Sequence, residues 1–170
     1  MTISPDLQKQ GFNRVAVYIS CTKKTGSLVG PGISYGNIEE TFMSAVVNQE
    51  KFLVRNMDFD DLNRVIAIEK NSYQYPWSEK IFRDCLTSKY SCLVAEIEDY
   101  LVAYCIVSTA SAEGHILNVC VCPSYRNQKV AQRLIEFIIR KFVGKSVELL
   151  FLEVRVSNLI AINLYEKNGF

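Results

Sequence analysis

PSYRNQKVAQRL, residues 123–134, follows the apolar run HILNVCVC (115–122) and leads into QKVAQRLIEFIIRKF (128–142). Pro123 lacks the N–H that a strand ladder needs, so it ends the first run. Val130, Leu134, Phe137, Ile138 and either Ile139 or Phe142 then recur at helical spacing, which predicts an amphipathic helix packed on a sheet. A strand, a polar turn and a helix N-terminus in this order direct unpaired amides and a positive dipole end outward, an arrangement suited to a pyrophosphate. Such turns usually carry glycine at their tight positions, where a Cβ would obstruct. Here Lys129 and Ala131 stand there. Many α/β units contain a turn of this kind, so the stretch alone leaves binding open.

Working outward, SCLVAEIED (91–99) and YLVAYCIVSTA (100–110) read as a strand pair joined tightly at Asp99 and Tyr100. SVELLFLEVRV (146–156) is a largely apolar strand, as expected of a sheet covered on both faces. SNLIAINLYEKNGF (157–170) starts with a capping Ser157 or Asn158 and runs helical to Asn168-Gly169. Upstream, KFLVRNM (51–57) alternates like a strand. DFDDLNRVIAIEKNSY (58–73) opens acidic before apolar Leu62, Val65, Ile66 and Ile68, which predicts a helix. In YPWSEKIFRDCL (75–86), Ser78 is placed as an N-cap, and Trp77 and Phe82 have the spacing of a hydrophobic staple over a second short helix. The order β-α-α-β-β-β-α-β-α describes an α/β sandwich with a mixed sheet.

The chain has 170 residues, 49% hydrophobic and 22% charged, enough for one domain with a sizeable core. Nineteen basic and eighteen acidic side chains give a net charge near +1, which predicts no broad electrostatic grip on nucleic acid or membrane. The six cysteines (Cys21, Cys85, Cys92, Cys105, Cys120, Cys122) follow no disulfide-scaffold spacing and mostly lie in apolar runs. Reduced thiols in a cytoplasmic protein are the expectation. Residues 1–42 hold five of the eight glycines, and RVAVYISC (14–21) is their one strand-like run. The segment reads as a weakly ordered extension, or as upstream read-through with Met43 the natural start. The alternative is a docking arm that adds 14–21 as an edge strand.

Chemistry narrows quickly. His115 is the single histidine, and with Cys120 and Cys122 it would place three ligands on one strand, a poor arrangement for tetrahedral zinc. Core packing is the expectation for these cysteines. Glu153 interrupts an apolar strand, so its carboxylate is either exposed at an opening in the sheet or kept for a task that a raised pKa helps. Asn158, Ala161, Ile162 and Tyr165 share one helix face. If that face looks back at the strand, Glu153 and Tyr165 flank one cleft. Otherwise Glu153 pairs with Arg155 or another cation and Tyr165 is core; the residues themselves leave both open.

Taken together, YPWSEKIF, HILNVCVCPSYRNQKVAQRL and LEVRVSNLIAINLYEKNGF resemble the GNAT acetyltransferases, most closely the bacterial ribosomal-protein-alanine N-acetyltransferases, over residues 53–170. The resemblance implies a three-layer α/β/α sandwich with a mixed, mostly antiparallel sheet. It implies acetyl-CoA as co-substrate, no metal, and the N-terminus of a small-subunit ribosomal protein as acceptor. The pantetheine-holding strand backbone falls on Val119, Cys120 and Val121. The pyrophosphate loop falls on Arg126, Asn127, Gln128, Lys129, Val130 and Ala131, with Gln132 beside it, and the cofactor-contacting asparagine on Asn158. The general base falls on Glu153 and the general acid on Tyr165, for direct attack of the amine on the thioester with strand amides near Val121 holding the oxyanion. YQYPW (73–77) would border the peptide groove.

Two departures from the family pattern carry expectations of their own. Lys129 replaces the first loop glycine, and a helical or near-helical φ there would keep its amide usable and its ammonium free to meet a phosphate. The family continues past the position of Phe170 into a final strand pair, so residues 43–170 read as a C-terminally truncated domain, monomeric or paired through an exposed edge. A GNAT acting on another amine and a catalytically weak acetyl-CoA-binding module are the alternative readings.

Overall fold

The computed structural model describes residues 14–20, 51–143 and 147–170. The elements in chain order are β1 (Arg14–Ser20), β2 (Phe52–Asn56), α1 (Leu62–Ser72), α2 (Glu79–Thr87), β3 (Ser91–Ile97), β4 (Tyr100–Ala110), β5 (Glu113–Val121), α3 (Val130–Phe142), β6 (Leu149–Arg155) and α4 (Leu159–Lys167). The strands form one sheet in the order β1-β6-β5-β4-β3-β2. Only the β5–β6 pair is parallel among the described strands. That pair needs a crossover, and α3 supplies it.

Each face of the sheet buries its own core. Val130, Leu134, Ile135 and Ile138 of α3 pack with Leu150, Leu152 and Val154 of β6 on one side. Val65 and Ile66 of α1 and Phe82 of α2 pack with Val94, Tyr104 and Ile106 on the other. Alternation in β3 and β4 feeds both cores, as Leu93 and Val94 or Ala103 and Tyr104 show. Phe82 is wholly buried, with Trp77 and Tyr104 ring centroids 5.6 and 5.5 Å away. Burial of a side chain that size contributes about 1.5–3 kcal/mol.

Local chemistry fixes the element starts. Asp58 accepts from the amides of Asp60 and Asp61 while Asp61 accepts from Asp58 N–H, a capping box on the short 3-10 turn that opens α1. Buried Asp61 also takes two hydrogen bonds from Arg55 of β2, at 2.6 and 2.8 Å, and Arg55 reaches Glu96 of β3 at 2.6 Å. The Arg55 guanidinium holds the Asp61 carboxyl down at about 2. Ser78 is the N-cap of α2 as expected, but its side chain makes no cap hydrogen bond. The junction is tied instead by Trp77 N–H, which donates to Glu69 at 2.7 Å.

Strand β6 departs from the expectation of cover on both faces. Leu150, Leu152 and Val154 are buried, whereas Glu153 and Arg155 are exposed. The core under α1 and α2 draws on β3, β4 and β5, and β6 adds nothing to it among the described residues. One face of β6 is therefore not covered by the described helices. On its outer side β6 pairs antiparallel with β1, from Arg14 opposite Arg155 to Ser20 opposite Leu149. The remainder of the 1–42 segment lies outside the described residues.

Candidate active site

The site begins with one extra residue in β5. Ile116 pairs with Val107 and Asn118 with Ile106, so Leu117 has no partner across the β4–β5 ladder. Such a bulge bends its strand and resets which face each side chain takes. Ile116 belongs to the core under α3 and α4, whereas Cys120, also even-numbered, belongs to the core under α1 and α2. The β5–β6 pairing ends at Ile116 opposite Leu152, although β5 continues to Val121 and β6 to Arg155. Beyond the bulge the sheet is open between these two strand ends.

Backbone direction in this opening follows from one hydrogen bond. Cys122 N–H donates to Val102 O at 2.8 Å, so even-numbered backbone groups of this stretch face β4. By alternation the N–H and C=O of Val119 and Val121 face the opening. The Val121 carbonyl accepts from Arg126 Nε at 3.3 Å, and the Val119 carbonyl accepts from the Tyr73 hydroxyl at 3.1 Å. The two amides are directed at whatever enters. Burial pushes the Cys120 thiol up, which removes it as a thiolate nucleophile.

The loop leaving β5 makes a short 3-10 turn over Pro123–Tyr125 and reaches α3 through exposed Arg126, Asn127, Gln128 and Lys129. Lys129 is the N-cap, and here the expectation fails: its φ is +60° and ψ 12°, left-handed instead of near-helical. The glycine of the family pattern has a physical reason at this position, because a Cβ costs about 1–2 kcal/mol in that region. Asn127 is also left-handed, at φ +63°, which asparagine tolerates well. Lys129 O accepts from Arg133 N–H at 3.0 Å. The amides of Val130, Ala131 and Gln132 lie in the first turn, which has no intrahelical acceptors for them. The Val130 side chain is buried, so it can meet a ligand only through its backbone.

Glu153 and Tyr165 lie on opposite faces of the sheet. Glu153 alternates with Leu152 and Val154 and so stands on the α1/α2 side, exposed. Tyr165 is buried in the core under α3 and α4, edge-on to Phe170 at 5.8 Å, and burial raises its hydroxyl to about 12. Asn158 caps α4, its side-chain oxygen accepting from Ala161 N–H at 3.3 Å. His115 stacks on Phe151 at 4.9 Å, with Glu113 3.6 Å away. Among the described residues no cluster has the makeup of a metal site.

One buried residue beside the site, Glu69, has no place in the sequence-based expectations. Glu69 is buried and accepts from Trp77 N–H and from the Tyr104 hydroxyl. Its signal was available: Leu62, Val65, Ile66 and Glu69 follow the i, i+3, i+4, i+7 stripe. Tyr73 follows four residues later and opens the YQYPW run expected at the peptide groove, but no sequence pattern points its hydroxyl at the Val119 carbonyl of β5.

A parallel strand pair that parts beyond a bulge, with a loop to a helix N-terminus at its mouth, has the architecture of an acyl-CoA-type transferase. The chain matches the Acetyltransferase (GNAT) family over residues 62–170, and it belongs to that family. It is thus an acetyl-CoA-dependent N-acetyltransferase. A relative from Bacillus subtilis (strain 168) is 34% identical over 121 residues, 70% of this chain and 80% of that one. The [ribosomal protein bS18]-alanine N-acetyltransferase of Escherichia coli (strain K12) is 32% identical over 117 residues, 69% of this chain and 79% of that one. The crystal structure of the ribosomal-protein-S18-alanine N-acetyltransferase from Escherichia coli superposes with a TM-score of 0.67 at 30% identity, covering 70% of this chain and 77% of the other.

Proposed function

We propose that the protein transfers the acetyl group of acetyl-CoA to the α-amine of a protein beginning with alanine, a ribosomal protein of the small subunit being the substrate, in the cytoplasm. The observation that carries this reading is the open β5–β6 end with the Val119 and Val121 amides directed into it. The names of the relatives support the alanine acceptor.

The family's acetyl-CoA suits these residues. Pantetheine would lie along Val119, Cys120 and Val121, and its pyrophosphate would meet the amides from Arg126 to Gln132 at the α3 dipole, with Asn158 beside the chain of the cofactor. An α-amine has a pKa near 8 and must shed a proton before it attacks. Glu153, exposed on the α1/α2 side, takes that proton directly or through one water. The nitrogen then bonds to the acetyl carbon, the oxyanion is held by strand amides near Val121, and the C–S bond breaks while the nitrogen releases its surplus proton to water. Tyr165, whose hydroxyl stays protonated throughout the neutral range, gives its proton to the departing thiolate. No acyl-enzyme forms.

The test is acetyl transfer to an alanine-starting peptide by the unaltered protein and by Glu153→Gln and Tyr165→Phe. Each variant should lose about 100-fold or more in kcat. Full activity in both would remove these roles.

A further inference from the structure

The Tyr73 hydroxyl ends in the same opening and has no part in the reaction described above. Tyr73 terminates α1 in extended conformation, φ −127° and ψ 141°, and its N–H is tied to Glu69 O at 3.1 Å. The Glu69 carboxylate fixes the next segment through Trp77 N–H. The ring therefore leaves a backbone anchored on both sides. Its hydroxyl donates to Val119 O at 3.1 Å, on one of the two carbonyls that face the opening.

Donation in that direction consumes the phenol proton, and since the buried Cys120 thiol also hydrogen-bonds with the phenol oxygen, one lone pair of that oxygen is left for a further donor. The Val119 carbonyl keeps its second lone pair for a cofactor amide. Tyr73 arrives with α1, on the side of the sheet where Glu153 stands, and its residue surface is about 37% exposed. An acceptor approaching from that side meets a neutral oxygen fixed in advance. Burial of the hydroxyl raises its pKa well above the ordinary tyrosine value, so it neither ionises nor gives up a proton at working pH.

Resting on the acetyltransferase reading above, we propose that Tyr73 is a substrate-positioning residue whose phenol oxygen accepts a hydrogen bond from the acceptor's α-amine and aims the nitrogen lone pair at the thioester. A primary amine that has lost its proton to Glu153 has two N–H groups and one lone pair. One N–H goes to Tyr73, and the lone pair is left for attack.

A thermodynamic cycle tests this on the full chain saturated with unreactive CoA. The two ligands are an alanine-starting peptide and the same peptide with a propionyl group in place of alanine, which lacks the amine. The two proteins are the unaltered chain and Tyr73→Phe, which keeps the ring and its packing. In the unaltered chain, losing the amine should weaken binding about tenfold, and in Tyr73→Phe it should change binding by less than about threefold. CoA affinity should differ by less than about twofold between the proteins. Equal losses in both proteins overturn the proposal and leave the acetyltransferase reading standing. A structural pin alone would lower thermal stability with equal losses, which is the same negative result. An unaltered chain that binds no CoA overturns both, and shows it before any peptide is added.

Discussion

Lys129 shows how a single residue can be right in place and wrong in conformation. Its position in the loop was legible, but a left-handed φ arises from how the turn must meet α3, which no side-chain pattern encodes. Lys129→Gly should relieve that backbone and raise stability by about 0.5–1 kcal/mol, read as a higher urea midpoint at unchanged slope. A lower midpoint would mean that the lysine side chain contributes more than its backbone costs. Asp61 sets an acid limit. Its folded pKa of about 2 lies below the ordinary 3.8 because Arg55 hydrogen-bonds it. A depressed carboxyl contributes stability that is complete above the unfolded value and is lost as pH falls from about 4 through 2. The contribution is at most about 2 kcal/mol. Asp61→Asn should flatten the stability profile in that window, and a profile as steep as that of the unaltered protein would contradict the assignment.

At the level of elements, alternation and helical spacing located every strand and helix of the described core to within a few residues. Continuous hydrophobicity was less informative at β6, where apolar residues on the face opposite α3 suggested cover that α1 and α2, among the described residues, do not extend to. The bulge at Leu117 was invisible because register is a relation between two strands. It has a direct signature in hydrogen exchange. The amides of Val119 and Val121, facing the opening, should exchange at least tenfold faster than that of Cys122, bonded to Val102. CoA should slow the first two selectively. Uniform protection along β5 without ligand would mean that the sheet is closed there.

For the molecule as a whole, two cores on one sheet leave the parallel strands β5 and β6 unpaired beyond Ile116 and Leu152, and the residues of the proposed site come from α1, β5, the loop, β6 and α4. LEVRVSN and LYEKNGF were legible as motifs, yet the placement of Glu153 and Tyr165 on opposite faces follows only from the assembled sheet. Burial also orders the thiols: Cys85 is pushed up to about 11 and Cys92 to about 12, whereas Cys122 is only half-buried. Iodoacetamide at neutral pH should therefore modify Cys122 first among the described cysteines, with Cys85 and Cys92 reacting only on unfolding. Early labelling of Cys85 or Cys92 would show a looser core under α1 and α2.

The most direct measurement mixes the full chain with acetyl-CoA and an alanine-starting peptide that also contains an internal lysine, and maps the product by tandem mass spectrometry. One acetyl group is expected, on the α-amine, formed about 100-fold or more slowly by Glu153→Gln. Acetylation of the lysine instead, or an equal rate in the variant, would contradict the proposed reaction.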